Sequence, residues 1–318
     1  MEEKNENEMK LLKNEKMLGK DFVIKVDGQI NKGSYGKVYE GRHIKNNYKI
    51  AIKVEDTSKH QKLKAEYDVL KQLQGNEGFP KVYNYYPGHK HNYLLMELLY
   101  KDLHYIFNAK GHSFSYKTIF QIGYQLLERL ECLHSKGYIH LDIKPENLLI
   151  GNDQNCDIIY LVDYGLCQKY IDPKTNKHIK YKTNMKGFGT TVYQSLFSHI
   201  GARQSRRDDI ESLALSLIYF ANGTLPWLKI KGKNKKEIKK EIIQMKYSYT
   251  SQQLCEGKPY PLLMFLNYAR NMKFYDKPDY EKYKIIFKRF ITERENIMDM
   301  IFDWIRVEEE EEEEDDNK

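Results

Sequence analysis

The chain has 318 residues, 41% of them hydrophobic and 31% charged, which is ordinary for a soluble globular protein and enough to bury the core of one large domain or two tightly joined lobes. No apolar run approaches the ~18–20 residues of a membrane span, and the opening MEEKNENEMK has neither the apolar stretch of a secretory signal nor a glycine after Met1 for myristoylation. The formal net charge is +7 although nine acids fill 308–316, so the rest of the chain is more basic still and favours anionic partners: nucleotide, acidic peptide or nucleic acid.

Residues 1–17 are charged and Asn-rich and predict a flexible N-terminal segment or a frayed helix. From Phe22 the texture turns β-like. FVIKV, GKVYEGRHI and YKIAIKVE alternate apolar and polar residues around Gly33, Gly36 and the Lys45-Asn46-Asn47 turn, which reads as antiparallel hairpins. Residues 60–74 place Leu63, Tyr67, Leu70 and Leu73 at helical spacing. YNYYPG and YLLMELL add two strands, so five strands and one helix make a small first lobe. From Leu103 helical patterns dominate. Ile119, Ile122, Leu126, Leu130 and Leu133 form one apolar face within 115–135. IESLALSLIYFANG (210–223) is apolar almost all round and predicts a buried helix that Gly223 can stop. KIKGKNKKEIKK (229–240) carries seven Lys against one Glu and reads as a solvated basic loop, a nuclear-import patch or a substrate-binding surface. The tail 307–318 is too charged to fold and predicts disorder; it is either a solubility appendage or a restraint that competes with acidic substrates for those lysines.

The chemistry sits in HLDIKPENLL (140–149) and in DYG (163–165), which opens twenty-one residues after Asp142. Asp142 can accept a proton from a substrate hydroxyl. Lys144 can neutralise a migrating phosphoryl group. Asn147 and Asp163 offer the oxygen ligands that Mg²⁺ favours beside phosphates. A polar loop between a helix and a hairpin is the plain alternative, and His, Asp, Lys, Pro and Asn at fixed spacing before apolar LLI argue against it. INKGSYGKVY reads as strand, glycine turn, strand: an ordinary hairpin turn, or a loop whose backbone N–H groups cover phosphates. IAIKVE puts Lys53 on an apolar strand, and Glu66, thirteen residues on, is a suitable ion-pair partner in the following helix. Four scattered cysteines (Cys132, Cys156, Cys167, Cys255) with no CxxC argue against a disulfide framework or a zinc site; they suit buried thiols in a reducing, cytoplasmic or nuclear compartment.

Together these residues resemble a eukaryotic protein kinase and, within that superfamily, the casein kinase I family. The stretches that carry the resemblance are HSKGYIHLDIKPENLLIG (134–151), DYGLCQKYIDPKTNKHIKY (163–181), QSRRDDIESL (204–213), LPW (225–227), YDKPDY (275–280) and FDW (302–304). The resemblance implies an α+β fold of two lobes, a small antiparallel β-rich N-lobe with one helix over 18–98 and a larger, mostly helical C-lobe over 99–306, with ATP in the cleft. It implies a Ser/Thr protein kinase that uses ATP and Mg²⁺ and acts on protein substrates in acidic contexts. By position, Gly33 and Gly36, with Ser34, would cover the phosphates. Lys53 would hold them, oriented by Glu66. Ile30, Val38, Ala51 and Leu149 would line the nucleotide pocket, with Met96 as gatekeeper and backbone groups of Glu97 and Leu99 on the adenine edge. Asp142 would be the base, Lys144 the phosphoryl clamp, Asn147 and Asp163 the metal ligands, and Asp209 a brace for the catalytic loop. A monomer is expected. Direct nucleic-acid binding is not, because RRM, KH and zinc-finger patterns are absent.

The chain departs from the family pattern at several points. Asn31 stands where the first glycine of the phosphate loop is usual, and Asn tolerates positive φ. Tyr164 replaces a Phe and is nearly isosteric. Leu141 replaces the Arg that in many kinases pairs with a phosphorylated activation loop. With Gln168, Val192 and Ile238 it also lacks the basic side chains that the family places in anion pockets around the substrate groove. Asn31 and Leu141 are the only features that favour a catalytically silent binding protein instead.

Overall fold

The computed structural model describes residues 14–32, 36–59, 61–232, 234–294 and 297–305. The start of the expected N-terminal segment (1–13), Gly33, Ser34 and the acidic tail therefore lie outside the described residues. Residues up to Gly75 together with Phe79–Leu99 form one compact unit; Asn76–Gly78 and the chain from Tyr100 onward form a second.

The first unit is one antiparallel sheet of β1 (Glu15–Leu18), β2 (Phe22–Lys32), β3 (Lys37–His43), β4 (Lys49–Asp56), β5 (Val82–Tyr86) and β6 (His91–Glu97), in the order β1-β2-β3-β4-β6-β5, with helix α1 (Leu63–Leu73). Side chains alternate faces along a strand. Ile50 and Ile52 of β4 join Leu18, Phe22 and Leu95 in an apolar core, whereas Ala51, Lys53 and Glu55 point to the other face, where Lys53 and Glu55 both bond to α1 or its entry. Along α1, Leu63, Val69, Leu70 and Leu73 are buried together with Glu66; Tyr67 is only half-buried.

The strand β1 corrects the expectation of a loose segment through residue 17. It pairs with β2 from Glu15↔Lys25 to Leu18↔Phe22. Leu18 reaches the apolar core, and Glu15 accepts two 2.7 Å bonds from Arg42. One buried leucine and one ion pair in four residues give too little periodicity to read in advance.

The second unit contains α2 (Leu103–Ala109), α3 (Tyr116–Ser135), β7 (Tyr138–Ile139), β8 (Leu148–Ile150), β9 (Ile159–Leu161), β10 (Gln168–Lys169), α4 (Leu196–His199), α5 (Arg206–Asn222), α6 (Lys235–Ser248), α7 (Ser251–Leu254), α8 (Tyr260–Asn271) and α9 (Tyr280–Thr292). The strands make two short hairpin-like pairs, β7 with β10 and β8 with β9. The predicted apolar face of α3 is buried, and Phe120 on the same helix packs on Phe287 and Phe290 of α9 at ring separations of 5.1 and 4.5 Å. Each such fully buried ring contributes about 1.5–3 kcal/mol. Helix α5 is buried along nearly its whole length and ends at Gly223 with φ 75°, as its sequence predicts. The lysine-rich stretch is only partly a loop. Asn234 caps α6 by accepting from the N–H groups of Lys236 and Glu237, both at 3.0 Å. Its described lysines from Lys229 to Lys240 are exposed. Lys235 and Lys236 thus lie in the first turn, where the helix dipole disfavours cations. Among the described residues, no helix is long and apolar enough to cross a membrane.

Candidate active site

In the first unit, the Lys53 ammonium donates to both carboxylate oxygens of Glu66, at 2.9 and 2.7 Å, in a buried pair. Burying either charge alone would cost several kcal/mol, so each requires the other. The helix that carries Glu66 is fixed by a second carboxylate. Glu55 accepts from the N–H groups of Lys62 (2.7 Å) and Leu63 (3.2 Å) and from Asn92 Nδ2 (3.2 Å). It supplies the N-terminal cap that Lys62 at the cap position does not provide. The register Val38↔Lys53 and Ala51↔Met96 puts Val38, Ala51, Lys53 and Met96 on one face of the sheet. Ile30 sits at the bulge of β2 and is half exposed. Gly36 touches the ladder so closely that a Cβ would lie 2.5 Å from the Val54 carbonyl oxygen. The Glu97 N–H is engaged by the Lys81 carbonyl at 2.8 Å, so any adenine contact from Glu97 falls to its carbonyl; Leu99 is buried.

In the second unit, the loop between β7 and β8 brings the other group together. Oδ1 of Asp142 accepts from the N–H and from the hydroxyl of Thr190, both at 2.7 Å. Oδ2 lies 2.8 Å from Lys144 Nζ and 3.2 Å from Asn147 Nδ2, which also donates to the Asp142 carbonyl at 2.8 Å. Lys144 Nζ donates in turn to Thr190 Oγ1 at 2.9 Å. Asn147 leads into β8 and Asp163 follows β9. The Leu148↔Leu161 register continues in the bond from Val162 N to Asn147 O (3.1 Å), which places Asn147 beside the Val162-Asp163 peptide. Leu149, which the sequence reading assigns to the nucleotide site, is half-buried on β8 and bridged to Asp102.

Asp209 braces this loop from the buried first turn of α5. It accepts from His140 N (2.7 Å) and Leu141 N (2.8 Å), and its Oδ2 is 2.9 Å from His134 Nε2. His134 Nδ1 is 2.6 Å from the Tyr280 hydroxyl, so the YDKPDY motif is tied to the same brace. His140 faces the Val162 carbonyl through Nε2 (3.1 Å), and its Nδ1 accepts from Asp142 N (3.3 Å). Those partners select the neutral Nε2–H tautomer, in accord with the burial that pushes this imidazole below its usual range. The extra hydroxyl of Tyr164 donates to the Leu161 carbonyl at 2.8 Å, which explains why Tyr serves in place of Phe.

Two residues of the site hold left-handed backbone: Leu141 at φ 71° and Asp163 at φ 66°. For a bulky side chain this costs of order 1–3 kcal/mol and persists only where the surroundings impose it. At Leu141 they do. Its N–H is held by Asp209, and its side chain is buried with Ile139 and Tyr170 against Leu166, Ile171, Ile179 and Phe188. Gly189 is left-handed as well (φ 103°), and a Cβ there would lie 2.2 Å from the Leu141 carbonyl oxygen. Only glycine lets the following Thr190 reach Asp142.

Thr190, Glu55, His134 and Tyr280 were not singled out by sequence. A Gly-Thr pair in a loop is too common to mark a site, and the partners of Thr190, His134 and Tyr280 lie far away in the chain. Gln168 is exposed on β10, and Ile238 lies over Gly232, whose Cβ would meet it at 2.9 Å. An open hollow of about 570 Å³ lined by Tyr100, Tyr105, Ile106, Ile150 and Trp304 contains none of the groups around Asp142.

Among the described residues, no three His, Cys, Asp or Glu side chains gather as a protein-only metal cage. An amide oxygen from Asn147 and a carboxylate from Asp163 are hard donors, few in number. That suits Mg²⁺, which completes its shell with water and substrate phosphates. The family model of the protein kinase domain matches residues 24–297, and the chain belongs to the protein kinase family. The β-rich first unit and helical second unit are the α+β fold of that family, whose phosphotransferases generally use ATP and Mg²⁺ on protein substrates.

Proposed function

We propose that the protein is a Ser/Thr protein kinase of the casein kinase I type, transferring the γ-phosphoryl group of ATP to hydroxyls in acidic protein contexts. The observation that carries this reading is the Asp142 carboxylate, oriented by Thr190 on one oxygen and flanked by Lys144 on the other. A substrate hydroxyl brought to Asp142 loses its proton to that carboxylate. Lys144 and Lys53 offset charge on the transferring group, and Glu66 holds Lys53 in place. Mg²⁺ held by Asn147 and Asp163 would neutralise phosphate charge. Catalysis is then mostly positioning and electrostatics. By the family resemblance, Ile30, Val38, Ala51, Met96 and the backbone of Glu97 and Leu99 on the first unit would contact the nucleotide, with Gly33, Ser34 and Gly36 on its phosphates, and Leu149 is the second unit's own candidate contact.

Activity does not require phosphorylation of the activation segment. Leu141 cannot make the bidentate, charge-assisted bond that Arg makes to a phosphate; it packs the segment through Tyr170, Ile171, Ile179 and Phe188 instead. Enzyme expressed in bacteria and treated with phosphatase therefore turns over as fast as untreated enzyme. A large drop in rate after treatment contradicts this.

Selection for a phosphoserine upstream of the target is weaker than is typical of the family. Leu141 and Ile238 are used in packing, and neither Gln168 nor Val192 is a cation. A general preference for acidic peptides remains, supplied by the exposed lysines of 229–240. It fades with salt, because exposed charges are screened beyond ~8 Å at physiological ionic strength. Peptide-library profiling tests the assignment: a strong, salt-resistant choice of phosphoserine at one upstream position would reveal a specific anion pocket and refute it.

A further inference from the structure

We propose that Lys246 and Trp227 are positioning residues that hold the segment Thr191–Gln194 in place to receive the polypeptide substrate; this rests on the reading of Asp142 as the base. Helix α6 shows its early lysines to solvent, but Lys246, near its end, is only 1% exposed. A buried ammonium is costly unless its donors are used. Lys246 Nζ donates to the carbonyls of Thr191 (3.0 Å) and Gln194 (2.6 Å) and lies 3.4 Å from His199 Nε2. It also sits 5.2 Å from the ring centre of Trp227, itself 1% exposed. The Trp227 indole N–H donates to the Val192 carbonyl at 3.0 Å. Three of four successive carbonyls are thus taken by side chains 35 to 55 positions away in the chain.

The inner side of the same segment is fixed too. Tyr193 N and Gln194 N both bond the Thr190 carbonyl, at 2.9 and 3.0 Å. Thr190 is the residue whose N–H and hydroxyl both reach Asp142 Oδ1. A continuous path therefore runs from Lys246 and Trp227 through the 191–194 turn to Thr190, Asp142 and Lys144. Around Lys246, Glu211 is paired with Arg270 (3.4 Å) and accepts from Leu196 N (3.2 Å). Burial pulls the Lys246 ammonium below the usual lysine range, and Glu211 opposes that pull. Backbone carbonyls fixed in this way cannot drift, and the chain that bears the acceptor hydroxyl must approach next to the residue that orients the base.

The test is a split between peptide and nucleotide kinetics. Lys246→Met keeps most of the side-chain volume and removes the ammonium. It should raise the peptide KM about tenfold while leaving the ATP KM within about twofold, because charge-assisted bonds to the turn are lost and nothing on the first unit changes. Trp227→Phe removes one neutral hydrogen bond and should raise the peptide KM about threefold. A purely structural role would instead lower kcat through a smaller active fraction and leave both KM values alone. Unchanged peptide KM in a folded Lys246→Met enzyme overturns the proposal. If that variant proves too unstable to assay, Trp227→Phe decides by the same criterion. Absence of peptide phosphorylation by the wild-type enzyme would instead defeat the functional reading itself.

Discussion

Asp163→Asn reduces phosphoryl transfer to background and weakens binding of Mg·ATP. Asp163 is the only carboxylate proposed to hold the cation, and its replacement leaves only neutral amides at positions 147 and 163. Replacing the carboxylate keeps the shape of the turn at the end of β9, and Asn tolerates the left-handed φ of 66° at that position. The backbone therefore has little reason to move, and the loss is electrostatic. It should be at least as large as the ~10²–10⁴-fold contributed by a general base. Nucleotide binding titrated against Mg²⁺, together with turnover, measures both effects. Wild-type turnover in this variant would remove the assigned role.

Asp142→Asn lowers kcat by ~10²–10⁴-fold with ATP affinity unchanged, because the base is lost and the nucleotide contacts are not. The local geometry sharpens the expectation. The wild-type carboxylate accepts Thr190 N and Oγ1 on one oxygen and lies beside Lys144 and Asn147 on the other. An amide offers one oxygen. Its NH₂ must face either the Thr190 donors or the Lys144 ammonium, so part of the network opens in addition to the loss of basicity. Separate determination of kcat and of ATP binding distinguishes this variant from Asp163→Asn, which loses both.

The elements legible in the sequence were those governed by local period and residue chemistry. The apolar stripe of α3, the all-round apolarity of α5 with Gly223 after it, and the alternation in β2, β3 and β4 each repeat within a few residues. The grouping in the loop of 140–149 was legible because Asp142, Lys144 and Asn147 are chemically unusual neighbours. Lys53 and Glu66 were legible because they lie on adjacent elements. The rest is long-range. Thr190 reaches Asp142 across 48 positions and Tyr280 reaches His134 across 146, while the brace from Asp209, which reaches His140 across 69, is expected from the family resemblance alone. No local pattern marks such pairs. The strand β1 depends on one leucine finding the sheet core. The start of α6 depends on Asn234 capping a run whose lysines are good helix formers, so charge alone gave no boundary.

If Asp142 is the proposed base, the γ-phosphoryl group of ATP goes to aliphatic hydroxyls of protein substrates. Incubating the enzyme with γ-labelled ATP and casein, followed by acid hydrolysis and separation of the phosphoamino acids, tests it directly. Label is expected on phosphoserine and phosphothreonine with wild-type enzyme and nearly none with Asp142→Asn. Label on phosphotyrosine alone, or equal labelling by the two enzymes, would contradict it.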